Sequence, residues 1–212
     1  MDSLLSALPP WARRAALYFT AFQIVLSLLY VVRSHLGDLV ATELNMDLEG
    51  NFTTWWSSLL LAGVAIAALF LCVTRWSDHR ARWSWGVMAA GFLFLSMDET
   101  AQVHEQVGQR LFGGEGRLWP LVYLPGIVAV AWAIWTSLNQ LPRGLRLLGR
   151  IAVGILFIGI GAELASNKSD ELRGGVEVLI EENSEYFGSA ILILVLATTA
   201  ATLWRVERTG PR

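Results

Sequence analysis

A chain of 212 residues with 54% hydrophobic and 16% charged residues is poorer in charge than a soluble domain, which carries about 25%. A formal net charge of −2 and a single cysteine, Cys72, exclude a basic nucleic-acid binder, a disulfide scaffold and any metal site built on several cysteines. The mean hydropathy of +0.49 points to one integral membrane domain over residues 1–212.

A bilayer-crossing helix needs about 20 mostly apolar residues. Residues 15–32, 55–73, 83–102, 121–138, 147–166 and 186–204 meet this in chain order. The first segment follows Arg13 and Arg14 but is long and lacks a small-residue cleavage pattern, so it reads as a retained helix. Spanning segments must satisfy their own backbone polar groups. The expected fold class is therefore all-α, a polytopic transmembrane bundle of six helices.

The third segment is short of apolar residues. Its run 86–97 covers only about 18 Å of a hydrocarbon layer about 30 Å thick. The span must therefore take in Asp98, Glu99, Thr100, Ala101 and Gln102, and it extends toward His104 and Glu105. The fifth segment repeats the shortfall: 151–162 is apolar, and Glu163 falls inside the span. The sixth is long enough without acids, so Glu181, Glu182 and Glu185 stand at its outer boundary.

Charge sets the orientation. One side collects Arg13, Arg14, the arginines of 75–82 and 143–150, and those of the C-terminal tail, against only Asp2, Asp78 and Glu207. The other side carries Arg33, Arg110, Arg117, Lys168 and Arg173 with the remaining acids. The positive-inside rule puts both termini in the cytoplasm, in agreement with an even number of crossings. Trp11, Trp76, Trp83, Trp85 and Trp204 mark the inner interface, and Trp55, Trp56 and Trp119 the outer one. Trp132 and Trp135 fall further within a span. The expected location is a bacterial inner membrane, with the lipid bilayer as the immediate partner.

Acids inside a span cost several kcal/mol unless they face protein, water or a counter-charge. At about 100° per residue, Glu181, Glu182, Glu185 and Ser189 share one arc. On an unbroken third helix, Asp98, Glu99, Gln102, Glu105, Gln106 and Gln109 share another. Asn51, Thr54 and Ser58 form a polar stripe at the start of the second. These faces predict a carboxylate-rich cavity open to the outer side. Carboxylates gathered there require protons, basic partners or a metal ion. Oxygen ligands suit Mg²⁺, Ca²⁺ or Mn²⁺, and imidazole from His35 or His104 shifts the preference toward Zn²⁺ or Fe.

The spacing D-E-x4-H-E at Asp98–Glu105 and E-E-x2-E at Glu181–Glu185 lacks the Glu-x-x-His pairs of di-iron bundles. Glycine-rich phosphate loops and nucleophile elbows are also missing. Three readings follow. The first is a metal-dependent enzyme acting on a lipid or lipid-linked substrate from the outer leaflet. Asp98, Glu99 and Glu182 would be its catalytic carboxylates, and Asp98, Glu99, His104, Glu105, Glu163, Glu181 and Glu185 its ligands to a divalent ion. The second is a proton or cation transporter, or a cation-binding membrane component. The third is a non-catalytic subunit or sensor with a membrane protein partner. Gly154, Gly159 and Gly161 read as close-packing positions.

Overall fold

The computed structural model describes residues 6–46, 50–74, 78–112, 119–165 and 171–209, without the side chains at 104–105, 108–109, 112, 119–120, 163–165, 171–174 and 205–209. Among the described residues the chain is helical, with no strand.

Helix α1 is Pro10–Val32. Pro10 suits its first turn, where a backbone N–H has no helical partner to lose. A 3₁₀ turn at Arg33–His35 and the short α2, Asp38–Glu43, follow. Helix α3 is Phe52–Thr74. Asn51 caps it: Asn51 Oδ1 accepts from the Thr53 and Thr54 backbone N–H groups at 3.0 and 3.1 Å. Helix α4 is His79–Ala101, capped by Asp78, whose side chain accepts from Ala81 N at 3.1 Å. Helices α5 (Val103–Phe112), α6 (Trp119–Asn139, with Pro125 inside), α7 (Arg143–Ala165) and α8 (Glu171–Thr209) complete the chain.

Two antiparallel hairpins make the body. In α3–α4, Ser58 meets Ser96 at one end, and Cys72 approaches Gly86 at the other. In α7–α8, Gly159 lies against Ser184, and Gly188 against Leu156. Contacts between α3 and α8 join the hairpins; α1 packs on α8, and α6 on α4. Leu71, Trp85, Met88, Leu138, Leu192, Val195 and Leu196 are buried at the centre. Trp85 therefore belongs to the core rather than to an interfacial belt. Trp135, within the apolar stretch Leu121–Asn139, lies under the Arg150 guanidinium, 4.6 Å from its ring centroid.

The surface is inverted relative to a soluble protein. Leu17, Tyr18, Leu28, Ile66, Val128 and Ile158 are each more than half exposed, while Gln23, Ser57, Ser84, Asp98 and Ser189 are buried. Water would penalise that arrangement, whereas hydrocarbon favours it. Five stretches are long and apolar enough to cross a membrane: Pro10–His35, Phe52–Thr74, Leu121–Asn139, Arg143–Ala162 and Gly175–Trp204. Helix α4 is as long as α3 at 23 residues. It falls below that apolarity because Arg80, Arg82, Asp98 and Glu99 lie within it.

Two expectations about helix boundaries need correction. The third helix does not run on through Glu105: it ends at Ala101, and Gln102 takes the left-handed conformation, φ 54°, ψ 34°. Gln102 N donates to Asp98 O at 2.8 Å, which closes the helix end before α5 begins. The arc drawn through Asp98, Glu105 and Gln109 assumed one unbroken helix, so it does not exist. The last helix starts at Glu171 rather than Tyr186 and is 39 residues long.

Gln102 has the only positive φ among described non-glycine residues. A side chain there is strained by about 1 kcal/mol relative to glycine. Gln102→Gly is expected to raise unfolding stability by about 0.5–1 kcal/mol, read from reversible unfolding in mixed micelles. A loss of stability would mean that the Gln102 side chain contributes more than its backbone costs.

Candidate functional site

At the ends that carry Ser27, Ser58, Thr100 and Asn183, helices α1, α3, α4 and α8 present polar side chains to their neighbours. At the α3–α4 seam, Ser58 Oγ donates to Ser96 O at 2.8 Å and Ser96 Oγ donates to Ser58 O at 2.9 Å. Thr100 Oγ1 donates to Ser58 Oγ at 3.1 Å. Reciprocal hydroxyl–carbonyl bonds of this kind join helices that have no water to compete. The expected polar stripe on α3 is thus already committed. Asn51 and Thr54 belong to the cap, and Ser58 to the helix seam. Asn51 also donates its amide to Thr42 O and Asn45 O at 3.1 and 2.6 Å, tying the α2 connection to α3.

At the α1–α8 seam, Asn183 is the centre. Its Oδ1 accepts from Gln23 Nε2 at 3.2 Å and from Ser27 Oγ at 2.9 Å, and its own amide donates to Leu179 O at 2.8 Å. Gln23 is fully buried, and its Oε1 has no hydrogen-bond partner.

Tyr186, on α8, is fully buried. Its hydroxyl donates to the Glu182 carboxylate one turn earlier, and it stands within electrostatic reach of Glu185 and of Glu99 from α4. The Thr53 carbonyl also accepts from this hydroxyl, at 3.5 Å. Ser57 Oγ donates to Glu185 Oε2 at 3.2 Å, which fixes that carboxylate on the α3 side. Thr53 and Ser57 are both buried, so α3 adds hydroxyls but no charge. One turn inward on α8, Ser189 is buried, and its hydroxyl has no hydrogen-bond partner.

Asp98 faces elsewhere. It is 4% exposed and lies within electrostatic range of Tyr123 on α6. The Tyr123 ring packs edge-on against Phe94, with centroids 5.4 Å apart. Adjacent residues on a helix diverge by about 100°, so Asp98 and Glu99 serve different neighbours.

Of the residues expected at the site, Glu99, Glu182 and Glu185 each act electrostatically on Tyr186, and Asp98 acts on Tyr123 of α6. Glu181 is half-buried, and its backbone carbonyl passes close to Gly159 of α7. The side chains of His104, Glu105 and Glu163 lie outside the described residues. His35 is exposed in the 3₁₀ turn. Among the described residues no three His, Cys, Asp or Glu side chains are arranged to hold one metal ion.

Sequence reasoning missed Tyr186, Tyr123 and Asn183. A signal for Tyr186 was present, because it stands four residues after Glu182, the spacing that stacks side chains on one helix face. Gln23 and Ser27 show the same spacing within an apolar helix.

Two surface depressions lie away from the carboxylates. One, of about 420 Å³, is lined by Arg33, Ser34, Asp38, Ala41, Thr42 and Asn45. The other, of about 340 Å³, is at the opposite end, between Asp78, Arg80 and Gln140.

No curated protein and no solved structure matches the chain. A family match covers residues 16–200, which includes every helix that carries the carboxylates and hydroxyls described above. The chain belongs to the family described as Domain of unknown function (DUF8692).

Proposed function

We propose that the protein is a multi-pass membrane component that takes up a proton from the outer side at Glu99, Glu182 and Glu185. The observation that carries this reading is the electrostatic coupling of Glu99, Glu182 and Glu185, from two helices, to one buried hydroxyl, that of Tyr186. Gathered anions repel one another, and shared protons or a cation relieve the repulsion. Each of these carboxylates is coupled through space to Tyr186, and among the described residues no three His, Cys, Asp or Glu form a common coordination sphere. Proton exchange needs only the coupling, whereas a divalent ion needs the sphere. The proton reading is therefore better supported than the metal-dependent lipid enzyme.

The membrane topology belongs to the same proposal. Because α4 pairs with α3 along its length, a bilayer crossed by α3 is crossed by α4 as well. Six crossings return both termini to the arginine-rich side.

Binding is favoured over transport. Inward of Ser189, α8 buries Leu192, Val195 and Leu196 before it reaches Thr198 and Thr199. That leaves an apolar barrier of about 13 Å between outer and inner polar groups. Ser84, Ser137 and Gln140 enrich the inner end, but they lie beyond the barrier.

The test is the thermal midpoint of the full chain in nanodiscs, from about pH 4 to about pH 9, which brackets ordinary carboxylate titration. The expected result is a pH-dependent midpoint whose profile changes in Glu99→Gln and in Glu182→Gln, with helix content unchanged. Superimposable profiles for wild type and both variants would overturn the reading. Added Mg²⁺, Mn²⁺ or Zn²⁺ forms a second arm. A midpoint raised by one of these ions, and not raised in Glu99→Gln, would make the occupant a metal ion instead.

A further inference from the structure

The outer end of α1 carries a second polar feature, separate from the carboxylates around Tyr186. The Arg33–His35 turn and α2 fold into an open depression of about 420 Å³, in which Arg33 and Asp38 are the two charged lining residues. The Arg33 guanidinium is held in place. It lies 3.9 Å from the Tyr30 ring centroid, and its Nη1 donates to Tyr30 O at 2.8 Å. A guanidinium has five N–H donors, and among the described residues only the Tyr30 carbonyl accepts from Arg33.

Asp38 is exposed and lines the same depression. No ion pair joins Arg33 and Asp38, and neither makes one with any other described residue. Nearby Glu43 accepts from the Phe52 backbone N–H at 3.1 Å, so its carboxylate is partly occupied in anchoring α3. Opposite charges that share a depression without pairing are complementary to a ligand that carries both signs. A simple anion would meet Asp38, and a simple cation would meet Arg33.

The surroundings identify the kind of ligand. Helix α1 is 23 residues, about 34 Å, so Arg33 at its end stands at head-group level in a bilayer about 30 Å thick. Val31 and Val32 below the depression, and Leu39 and Val40 beside it, are exposed apolar side chains. Acyl chains cover such residues, while the polar floor faces the head-group layer.

We propose that this depression seats the zwitterionic head group of an amine-bearing phospholipid of the outer leaflet. The phosphate rests on Arg33 and the Ser34 hydroxyl, which donate to its oxygens. The primary ammonium rests on the Asp38 carboxylate, which accepts from it. A bidentate guanidinium–phosphate contact supplies most of the affinity, and Asp38 supplies the selection among head groups.

Native mass spectrometry of the full chain, released from nanodiscs of equal phosphatidylethanolamine, phosphatidylcholine and phosphatidylglycerol, tests this. Retained phosphatidylethanolamine is expected to exceed each of the other lipids by about threefold, the scale of one partly exposed charge contact. Asp38→Asn is expected to abolish the preference over phosphatidylglycerol while phosphate-bearing lipids are still retained. Arg33→Gln is expected to reduce retention of all three. Because Arg33→Gln also removes the Tyr30 contact, Asp38→Asn at its exposed position decides independently, with the melting midpoint recorded alongside. Equal retention of the three lipids by wild type would overturn the proposal. So would a preference for phosphatidylglycerol, or a phosphatidylethanolamine preference unchanged in Asp38→Asn.

Discussion

Gly188→Val is expected to destabilise the protein by about 3 kcal/mol or more, because it forces apart the closely packed helices α7 and α8. A Cβ at Gly188 would stand 2.6 Å from Leu156 Cγ, 2.8 Å from Leu156 Cδ2 and 3.0 Å from the Ala152 carbonyl oxygen. Leu156 Cγ is a branch point rather than a flexible tip, and the Ala152 oxygen is backbone, so neither moves without displacing α7. Valine adds two further methyl groups in the same gap. Gly188→Ala isolates the first carbon and is expected to cost about 1–3 kcal/mol. The measurement is reversible unfolding in mixed detergent micelles. Gly154 and Gly161 supply the control, because an added Cβ meets nothing within 4 Å at either position. Alanine there is expected to be neutral or stabilising, by up to about 1 kcal/mol. Equal effects at Gly188 and Gly154 would show that close approach of α7 and α8 is not what Gly188 provides.

Asn183→Leu is expected to cost about 2–3 kcal/mol. The substitution removes the acceptor used by Gln23 Nε2 and Ser27 Oγ. Ser27 keeps a bond to Gln23 O at 2.9 Å, so its loss is small. Gln23 has no such reserve: it is fully buried, and its Oε1 already lacks a partner. A buried amide left unpaired costs about 1–3 kcal/mol. Interhelical bonds in membranes average nearer 0.6 kcal/mol, because the unfolded chain in lipid also finds partners. The upper part of the range holds here because both ends of the Gln23 amide would be empty. A double-mutant cycle with Gln23→Leu separates the pair from its desolvation. The double variant is expected to be more stable than Asn183→Leu alone. A double variant showing the sum of the two single losses would rule out direct coupling between these side chains.

The helices themselves were largely legible from apolar runs. The expected spans 15–32 and 55–73 correspond to Pro10–Val32 and Phe52–Thr74. Their ends were displaced by short-range hydrogen bonding, since Asn51 begins α3 before the apolar run does. Helix α8 was cut short in the sequence reading because Glu177, Glu181, Glu182 and Glu185 interrupt the hydropathy. Glutamate is nevertheless a good helix former, and the helix continues through all four. The break at Gln102 carries no compositional mark, since glutamine has no preference for the left-handed region. That break separates the acids before and after it.

The glycines repeat the lesson. Gly159 is a close-packing position, 3.1 Å from Glu181 O to an added Cβ, as its setting implied. Gly154 and Gly161 are not, and Gly188, which is, sits outside the glycine-rich run. Glycine spacing along one helix does not say which face a neighbour will occupy. Of the candidate site, the acids Glu99, Glu182 and Glu185 were legible as residues. Its centre was not, because Tyr186 acts through burial, and burial depends on three helices from distant parts of the chain.

Helix α8 has one more consequence. At 39 residues it measures about 58 Å. Tilted by as much as about 40°, it still rises about 44 Å along the membrane normal, more than the roughly 30 Å of hydrocarbon. No tilt matches it to the bilayer, so its own length cannot choose its depth. That choice falls to the 23-residue helices α1, α3, α4 and α7, each about 34 Å and each close to the bilayer thickness. Of these, α7, α3 and α1 pack along the longer rod, and the side chains that grip it would set how far its glutamates stand from water in a bilayer.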